Sequence, residues 1–297
     1  MQSPAQSIDN HGVSDQEFAL FRKLIYRLAG INMADSKKPL LAGRLSRRLR
    51  HFELDSFGAY YKLVTSDEHR DELQLMVDLL TTNETYFFRE AAHFDFLQSF
   101  AASRRGRPFR VWSGASSSGE EPYTIAMVLA ETLGLAADWE VVASDISLSI
   151  LEKAQTGLYP MERGKGIPPE LLKKYCLKGV RSQDGNFLVV PKLRERVEFR
   201  HINLIAPETR DLGQFDLIFL RNVMIYFDNE TKRKVVANMV PHLREDGIFI
   251  IGHSETLTGV TDQLATIRPT YYCRPHMLGP LSAHGKTGPA RAQRQSR

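Results

Sequence analysis

Phe109-Arg110-Val111-Trp112-Ser113-Gly114-Ala115-Ser116-Ser117-Ser118-Gly119-Glu120-Glu121-Pro122, running on into Tyr123-Thr124-Ile125-Ala126-Met127-Val128-Leu129, reads as a buried strand, a loop of small residues and the head of an apolar helix. Gly114 and Gly119 let a backbone turn tightly and approach a ligand closely, where a side chain would intrude. Pro122 suits a first helical turn, in which the missing N–H is not needed. Such a unit forms a nucleotide-type site at the mouth of an open α/β sheet. A pyrophosphate favours a neutral or positive helix start, yet Glu120 and Glu121 stand here. Two carboxylates repel phosphate and welcome an ammonium or sulfonium, so the loop points to a nucleoside with a cationic tail, such as S-adenosylmethionine. The loop alone leaves an alternative open, in which the glutamates only complement the helix dipole.

Downstream the α/β alternation continues. Residues 139–145 form a strand ending in Asp145, 145 − 119 = 26 positions beyond Gly119, and an acid there can take two ribose hydroxyls. An N-cap role for Asp145 is the alternative, although Ser147 or Ser149 could cap the helix that follows, 149–157. Glycines and prolines then punctuate residues 160–196. A short helix over 169–175 and a hairpin turning at 183–186 are expected there. They make a small antiparallel β insertion whose free edge could accept a peptide strand. Residues 197–204 resume the main sheet, with Asn203 ending the strand close to where an adenine would lie. The run 215–227 reads as the central buried strand, carrying Arg221 and Asn222 at its carboxyl end. A helix over 231–243, a turn at 245–247, a strand from 248 and a terminal strand at 266–274 complete the order of a Rossmann-like class I methyltransferase.

Upstream, residues 14–80 carry helical patterning. Ser14 and Glu17 form a capping box, Phe18, Phe21, Leu24, Ile25 and Leu28 recur at helical spacing, and Gly30 ends that helix. A second helix over 39–50 places Leu40, Leu41, Leu45 and Leu49 on one stripe and Arg44, Arg47, Arg48 and Arg50 around it. Two more helices follow, at 56–65 and 68–80. The four arginines have no interleaved aromatics, so docking to an acidic protein surface is favoured over nucleic acid; a solvated helix face is the bland alternative. Residues 81–108 read as a linker contributing to the site, through Asn83, Thr85, three consecutive aromatics and Arg89. The domain limits expected are a disordered 1–13, a helical 14–80, the linker 81–108, the donor-binding 109–280 with its 160–196 insertion, and a disordered 281–297.

Of the 297 residues, 42% are hydrophobic and 25% charged, as in a globular protein, and the net charge of +4 is modest. No apolar run approaches the ~20 residues that span a bilayer, and the N-terminus has no signal-peptide core. Membrane insertion is therefore not expected. Cys176 and Cys273 cannot alone make a zinc site and no histidine cluster has ligand spacing, so no metal and a reduced, cytoplasmic setting are expected.

The motifs together resemble CheR, the bacterial chemotaxis receptor methyltransferase family, over about residues 14–275. They are Asn83-x-Thr85-x-Phe87-Phe88-Arg89, Val111-Trp112-Ser113 through Gly119-Glu120-Glu121-Pro122-Tyr123, Ser144-Asp145-Ile146, Phe215-Asp216 through Arg221-Asn222-Val223-Met224-Ile225-Tyr226-Phe227, and Gly252-His253-Ser254-Glu255. Only the loop departs, with Gly114-Ala-Ser-Ser-Ser-Gly119 where the family often has Ala-Gly-Cys-Ser-Thr-Gly, all small residues. The resemblance implies methyl transfer from S-adenosylmethionine to glutamates on cytoplasmic chemoreceptor helices, giving γ-methyl esters. It also implies receptor docking by the β insertion, which in some members takes a C-terminal receptor pentapeptide.

By the same likeness Asn83, Thr85 and Arg89 line the donor and substrate end, and Gly114 belongs to the donor loop. Glu120 pairs with the donor amino group, Asp145 takes the ribose, Asn203 and Leu204 hold the adenine, and Arg221 and Asn222 complete the floor. Arg89 and Tyr226 are the candidates for orienting the incoming carboxylate, while His253 is structural. A glutamate is already an anion at neutral pH and needs no general base. A nucleic-acid methyltransferase is a rival, but Arg221-Asn222-Val-Met stands in place of an Asn/Asp-Pro-Pro-Tyr/Phe sequence. A donor-sensing module without catalysis is a second, opposed by the intact segment 83–89.

Overall fold

The computed structural model describes residues 12–209 and 211–279. The ends expected to be disordered lie outside these residues except for Gly12 and Val13, and Val13 is buried in the helical core. Helix α1 (Asp15–Ala29) opens with the Ser14–Glu17 capping box and stops at Gly30, whose φ of 71° only glycine adopts at little cost. Helix α2 (Lys38–His51) buries Leu41, Leu45 and Leu49. Leu40, expected on that stripe, is exposed, because it lies about 100° round the helix from Leu41. Helices α3 (Phe57–Val64) and α4 (Arg70–Leu80) complete the bundle. Its core, including Phe21, Leu45, Tyr60 and Met76, is fully buried. A polar knot closes it: Arg48 donates two hydrogen bonds to Glu72, 2.8 and 2.7 Å, and the Tyr60 hydroxyl a third, 2.6 Å.

The expected linker contains a helix of its own, α5 (Ala92–Ala102), which buries His93, Phe94, Leu97, Phe100 and Ala101. Strand β1 (Phe109–Gly114), helix α6 (Glu120–Leu133), strand β2 (Trp139–Asp145) and helix α7 (Leu148–Thr156) follow the expected order. Ser147 is the N-cap of α7, which frees Asp145 from that task. The insertion comprises β3 (Leu158–Pro160), α8 (Pro169–Tyr175), β4 (Cys176–Lys178) and β5 (Asn186–Val189), with a 3₁₀ turn at Met161–Gly166. Its three strands order β3-β5-β4, so the expected hairpin gains a third strand and β5 lies in the middle.

After α9 (Pro191–Arg194), the main sheet resumes with β6 (Val197–His201) and β7 (Phe215–Leu220). Strand β6 stops at His201, two residues short of Asn203. Helix α10 (Asn229–Met239), β8 (Leu243–Ile251), β9 (Ala265–Arg268) and β10 (Tyr271–Cys273) end the described fold. The sheet runs β6-β2-β1-β7-β8-β10-β9, with the first five strands parallel and β10 antiparallel to both its neighbours, β8 and β9. All six residues of the central β7 are buried, as a parallel strand covered on both faces requires. Two expectations change here. Residues 245–247 are a bulge inside β8, where pairing jumps from Phe215–Leu243 to Leu217–Ile248, and Arg104 and Arg107 both hold Asp246. The segment 266–274 is a hairpin, turning where Thr270 has a φ of 72°.

The bundle is tied to the sheet at several points. Asp78 of α4 accepts from the backbone N–H groups of Leu148 and Ser149, 3.2 and 2.9 Å, at the positive end of α7. Asn203 donates to the Leu28 carbonyl (2.6 Å), Tyr26 donates to Asp228 (2.8 Å), and the Asn32 N–H meets the Tyr226 carbonyl (2.8 Å).

Candidate functional site

At the carboxyl ends of β1, β2 and β7 the sheet edge and the bundle enclose a cavity, the position where open α/β sheets bind ligands. The glycine loop forms one side. Ala115, Ser117 and Gly119 have φ of 56°, 51° and 94°, so the backbone turns back on itself at alternate residues. The Ser116 N–H then bonds the Ser144 carbonyl and the Ser117 N–H bonds Asp145. Ala115, Ser116 and Ser117 line the cavity; Gly114, named from sequence, does not. A Cβ on Gly114 would meet Met239 at 3.0 Å and Leu220 at 3.4 Å, so this glycine serves packing behind the loop.

Asp145 lines the cavity and is almost wholly buried. One oxygen accepts from Ser117 N–H at 2.9 Å and the other from Ser147 N–H at 3.0 Å. Each oxygen keeps a further lone pair for a ligand. Burial pushes its carboxyl above the usual range, against the pull of these bonds. The two glutamates at the head of α6 diverge. Glu121 reaches the cavity wall, accepting from Ser113 Oγ (2.7 Å) and Arg221 (2.8 Å). Glu120, the one named from sequence, is fully buried behind the loop, bonded to Ser118 Oγ (2.6 Å) and paired with Arg163 (3.1 Å).

The floor is a network of charges. Arg221 lies between Glu121 and Glu90 (3.0 Å) and also donates to the Arg89 carbonyl. Glu90 additionally accepts from Asn222 Nδ2 at 3.1 Å and from the His253 N–H at 3.2 Å. Burial would raise the Glu90 carboxyl, but Arg221, Asn222 and the His253 backbone together hold it below its ordinary value. Glu255 takes three backbone N–H groups, from Asn222 (2.8 Å), Met224 (2.8 Å) and Gly252 (2.7 Å), and so fixes Asn222 at its φ of 58°. Of the eight non-glycine residues with positive φ among those described, Ala115, Ser117 and Asn222 line this cavity. Strain gathered in this way marks a functional site.

Asn83, Thr85, Arg89, Asn203, Leu204, Arg221, Asn222 and Tyr226 all line the cavity. Arg89 donates to the Glu84 carbonyl (3.0 Å), with its guanidinium 5.6 Å from the Tyr86 ring. Asn203 is engaged at both ends, donating to Leu28 and accepting from the Ile205 N–H at 3.2 Å. Sequence reasoning missed Ala29 and Ile31 from the bundle, and Ile146, Ile202 and Phe227 from the sheet side. Only tertiary placement brings Ala29 and Ile31 there, whereas Ile146 and Phe227 sat unused inside quoted motifs.

The four arginines of α2 separate. Arg44 caps α4 through the Leu80 and Thr81 carbonyls, 3.0 and 2.8 Å, and Arg48 is held by Glu72, while Arg47 and Arg50 are exposed. The ligand atoms of Glu90, His93 and His253 lie within 4.8 Å of one another, an arrangement the sequence spacing did not reveal. The Arg221 guanidinium occupies the same carboxylate, so an added cation would have to displace it.

Residues 83–273 match the family description "CheR methyltransferase, SAM binding domain", and residues 16–81 match "CheR methyltransferase, all-alpha domain". The chain is 43% identical over 268 residues to the chemotaxis protein methyltransferase of Escherichia coli strain K12, covering 90% of this chain and 93% of that protein. It is 44% identical over 260 residues to chemotaxis protein methyltransferase 2 of Pseudomonas aeruginosa, covering 86% and 92%.

Proposed function

The chain belongs to the CheR methyltransferase family, and on that premise we propose that the cavity presents a donor methyl to glutamate side chains of chemoreceptors, yielding γ-methyl esters. It is an S-adenosylmethionine-dependent methyltransferase of chemotaxis. The observation that carries the finer reading is the wall itself. Carboxylates of Asp145 and Glu121 share it with the apolar Ile31, Ile146, Ile202 and Leu204, which suits a ligand with a hydroxylated, cationic side and a flat apolar base.

When bound, S-adenosylmethionine supplies an electrophilic methyl group on sulfonium. Asp145 would accept the ribose hydroxyls with its remaining lone pairs, and Asn203 and Leu204 would border the adenine. Glu120 would act on the ammonium end from behind the loop, Glu121 from the wall. Asn83, Thr85, Arg221 and Asn222 would set the shape of the methionyl end. Arg89 and Tyr226 would hold the incoming carboxylate in line with the methyl group. The nucleophile is ionised before it arrives, so alignment and exclusion of water do the work and no side chain has to take a proton.

The exposed Arg47 and Arg50, with the flanking α2 surface, would face acidic receptor helices in the cytoplasm. Strand β4 has an unpaired edge in the described sheet, with Leu177 on the strand 51% exposed and Val180 just beyond it 69% exposed, which supports capture of a C-terminal receptor peptide there. Calorimetric titration with S-adenosylmethionine and S-adenosylhomocysteine, then with such a peptide, tests both levels. Nucleoside binding is expected, and its absence would sink the donor reading. Nucleoside binding without the peptide would confine docking to α2.

A further inference from the structure

We propose that Arg163, on the β insertion, is a positioning residue of the donor site: it ties the Thr85 wall to the head of α6 and holds Glu120 as an anion. This rests on the cavity being the S-adenosylmethionine site. Arg163 Nη1 donates to the Thr85 carbonyl at 2.7 Å and lies 3.1 Å from Glu120 Oε1. Thr85 lines the cavity and Glu120 opens the helix whose next residue lines it. Glu120 is fully buried, and its Oε1 has no hydrogen bond and is met by the Arg163 guanidinium as an ion pair.

The rest of the insertion grips the same elements. The Tyr159 hydroxyl donates to the Ser118 carbonyl at 2.6 Å, and its ring packs on Phe87, 5.1 Å between centroids. Gly166 abuts the Phe87 carbonyl so closely that a Cβ would lie 2.3 Å from it. Arg163 thus joins three parts of the chain at one guanidinium.

A buried carboxylate without a counter-charge takes up a proton. Burial already raises Glu120, with Ser118 and Arg163 opposing it, and the other titratable group facing it, the Tyr159 hydroxyl, stays neutral because burial pushes it well above its ordinary value. A donor ammonium interacts favourably only with the ionised form. Removing Arg163 should therefore make donor binding require a proton to leave, and affinity should rise with pH.

The test is calorimetric titration of S-adenosylhomocysteine at about pH 6 and about pH 8.5 on the full chain, with Arg163→Ala, Arg163→Gln, Arg163→Lys and Arg163→Ala combined with Glu120→Gln. Both neutral variants should bind about tenfold more weakly than the parent near pH 6, with the gap narrowing as pH rises. Lysine should restore the parent profile, and Glu120→Gln should flatten that of Arg163→Ala. Affinity equal to the parent at both pH values would overturn the proposal, as would a loss of the same size at both. If the parent itself fails to bind, the donor reading falls and this inference with it.

Discussion

Arg89 comes from a stretch without regular structure, yet it is well placed. Its guanidinium is held by the Glu84 carbonyl and the Tyr86 ring, and its own carbonyl is held by Arg221. Arg89→Ala should lower methyl transfer by about 10²–10³-fold, the range for losing an oriented charge beside a reacting group. A receptor-fragment methylation assay decides it, and near-normal turnover would remove Arg89 from the mechanism. At this scale the sequence was informative where a residue type is itself the signal. Asn83, Thr85, Asp145, Arg221 and Asn222 were named from motifs and all reach the cavity. The pair Glu120 and Glu121 was harder: neighbours on a helix point about 100° apart, and only the roll of α6 decides which one faces the ligand. Gly114 likewise carries a real steric demand, but one made by Met239 and Leu220 from behind.

Helix α5 was legible in principle. His93, Phe94, Leu97 and Ala101 recur at helical spacing, although residues 81–108 were expected to be linker. It anchors the floor through His93, which is fully buried, meets Thr270 Oγ1 at 2.9 Å and stacks edge-on with Tyr271. Burial, aided by Arg221, His253 and Arg268 and opposed by the Glu90 carboxylate, pushes the imidazole down from 6.5 to about 3. Between these values the unfolded chain binds a proton that the folded chain refuses. Stability should fall as pH drops through this window, by up to ~1.4 kcal/mol per pH unit, and be insensitive to His93 above it. Urea unfolding of the parent and His93→Gln between about pH 4 and pH 8 checks this; an equal acid slope in both would refute it. The β8 bulge and the β9–β10 hairpin escaped sequence reading because both depend on which strand lies alongside.

Across the molecule, the alternation of helices and strands announced the parallel part of the sheet and the presence of the insertion, whereas the seam between bundle and sheet was hidden. Asp78, Asn203 and Tyr26 show nothing in sequence to say that they bridge the two units. Charge acts at this scale as well. If Arg47 and Arg50 meet acidic receptor helices, raising the ionic strength should depress receptor methylation more steeply than donor binding. Parallel salt titrations of both quantities test the docking surface, and identical slopes would exclude it. Ala29 and Ile31 belong to the bundle yet form part of the wall of the cavity that Asp145 also lines. The two family descriptions meet between residues 81 and 83, so that boundary runs through a binding site. A recombination event there would give the offspring a donor pocket inherited from two parents, and the halves can diverge only as fast as each tolerates the other.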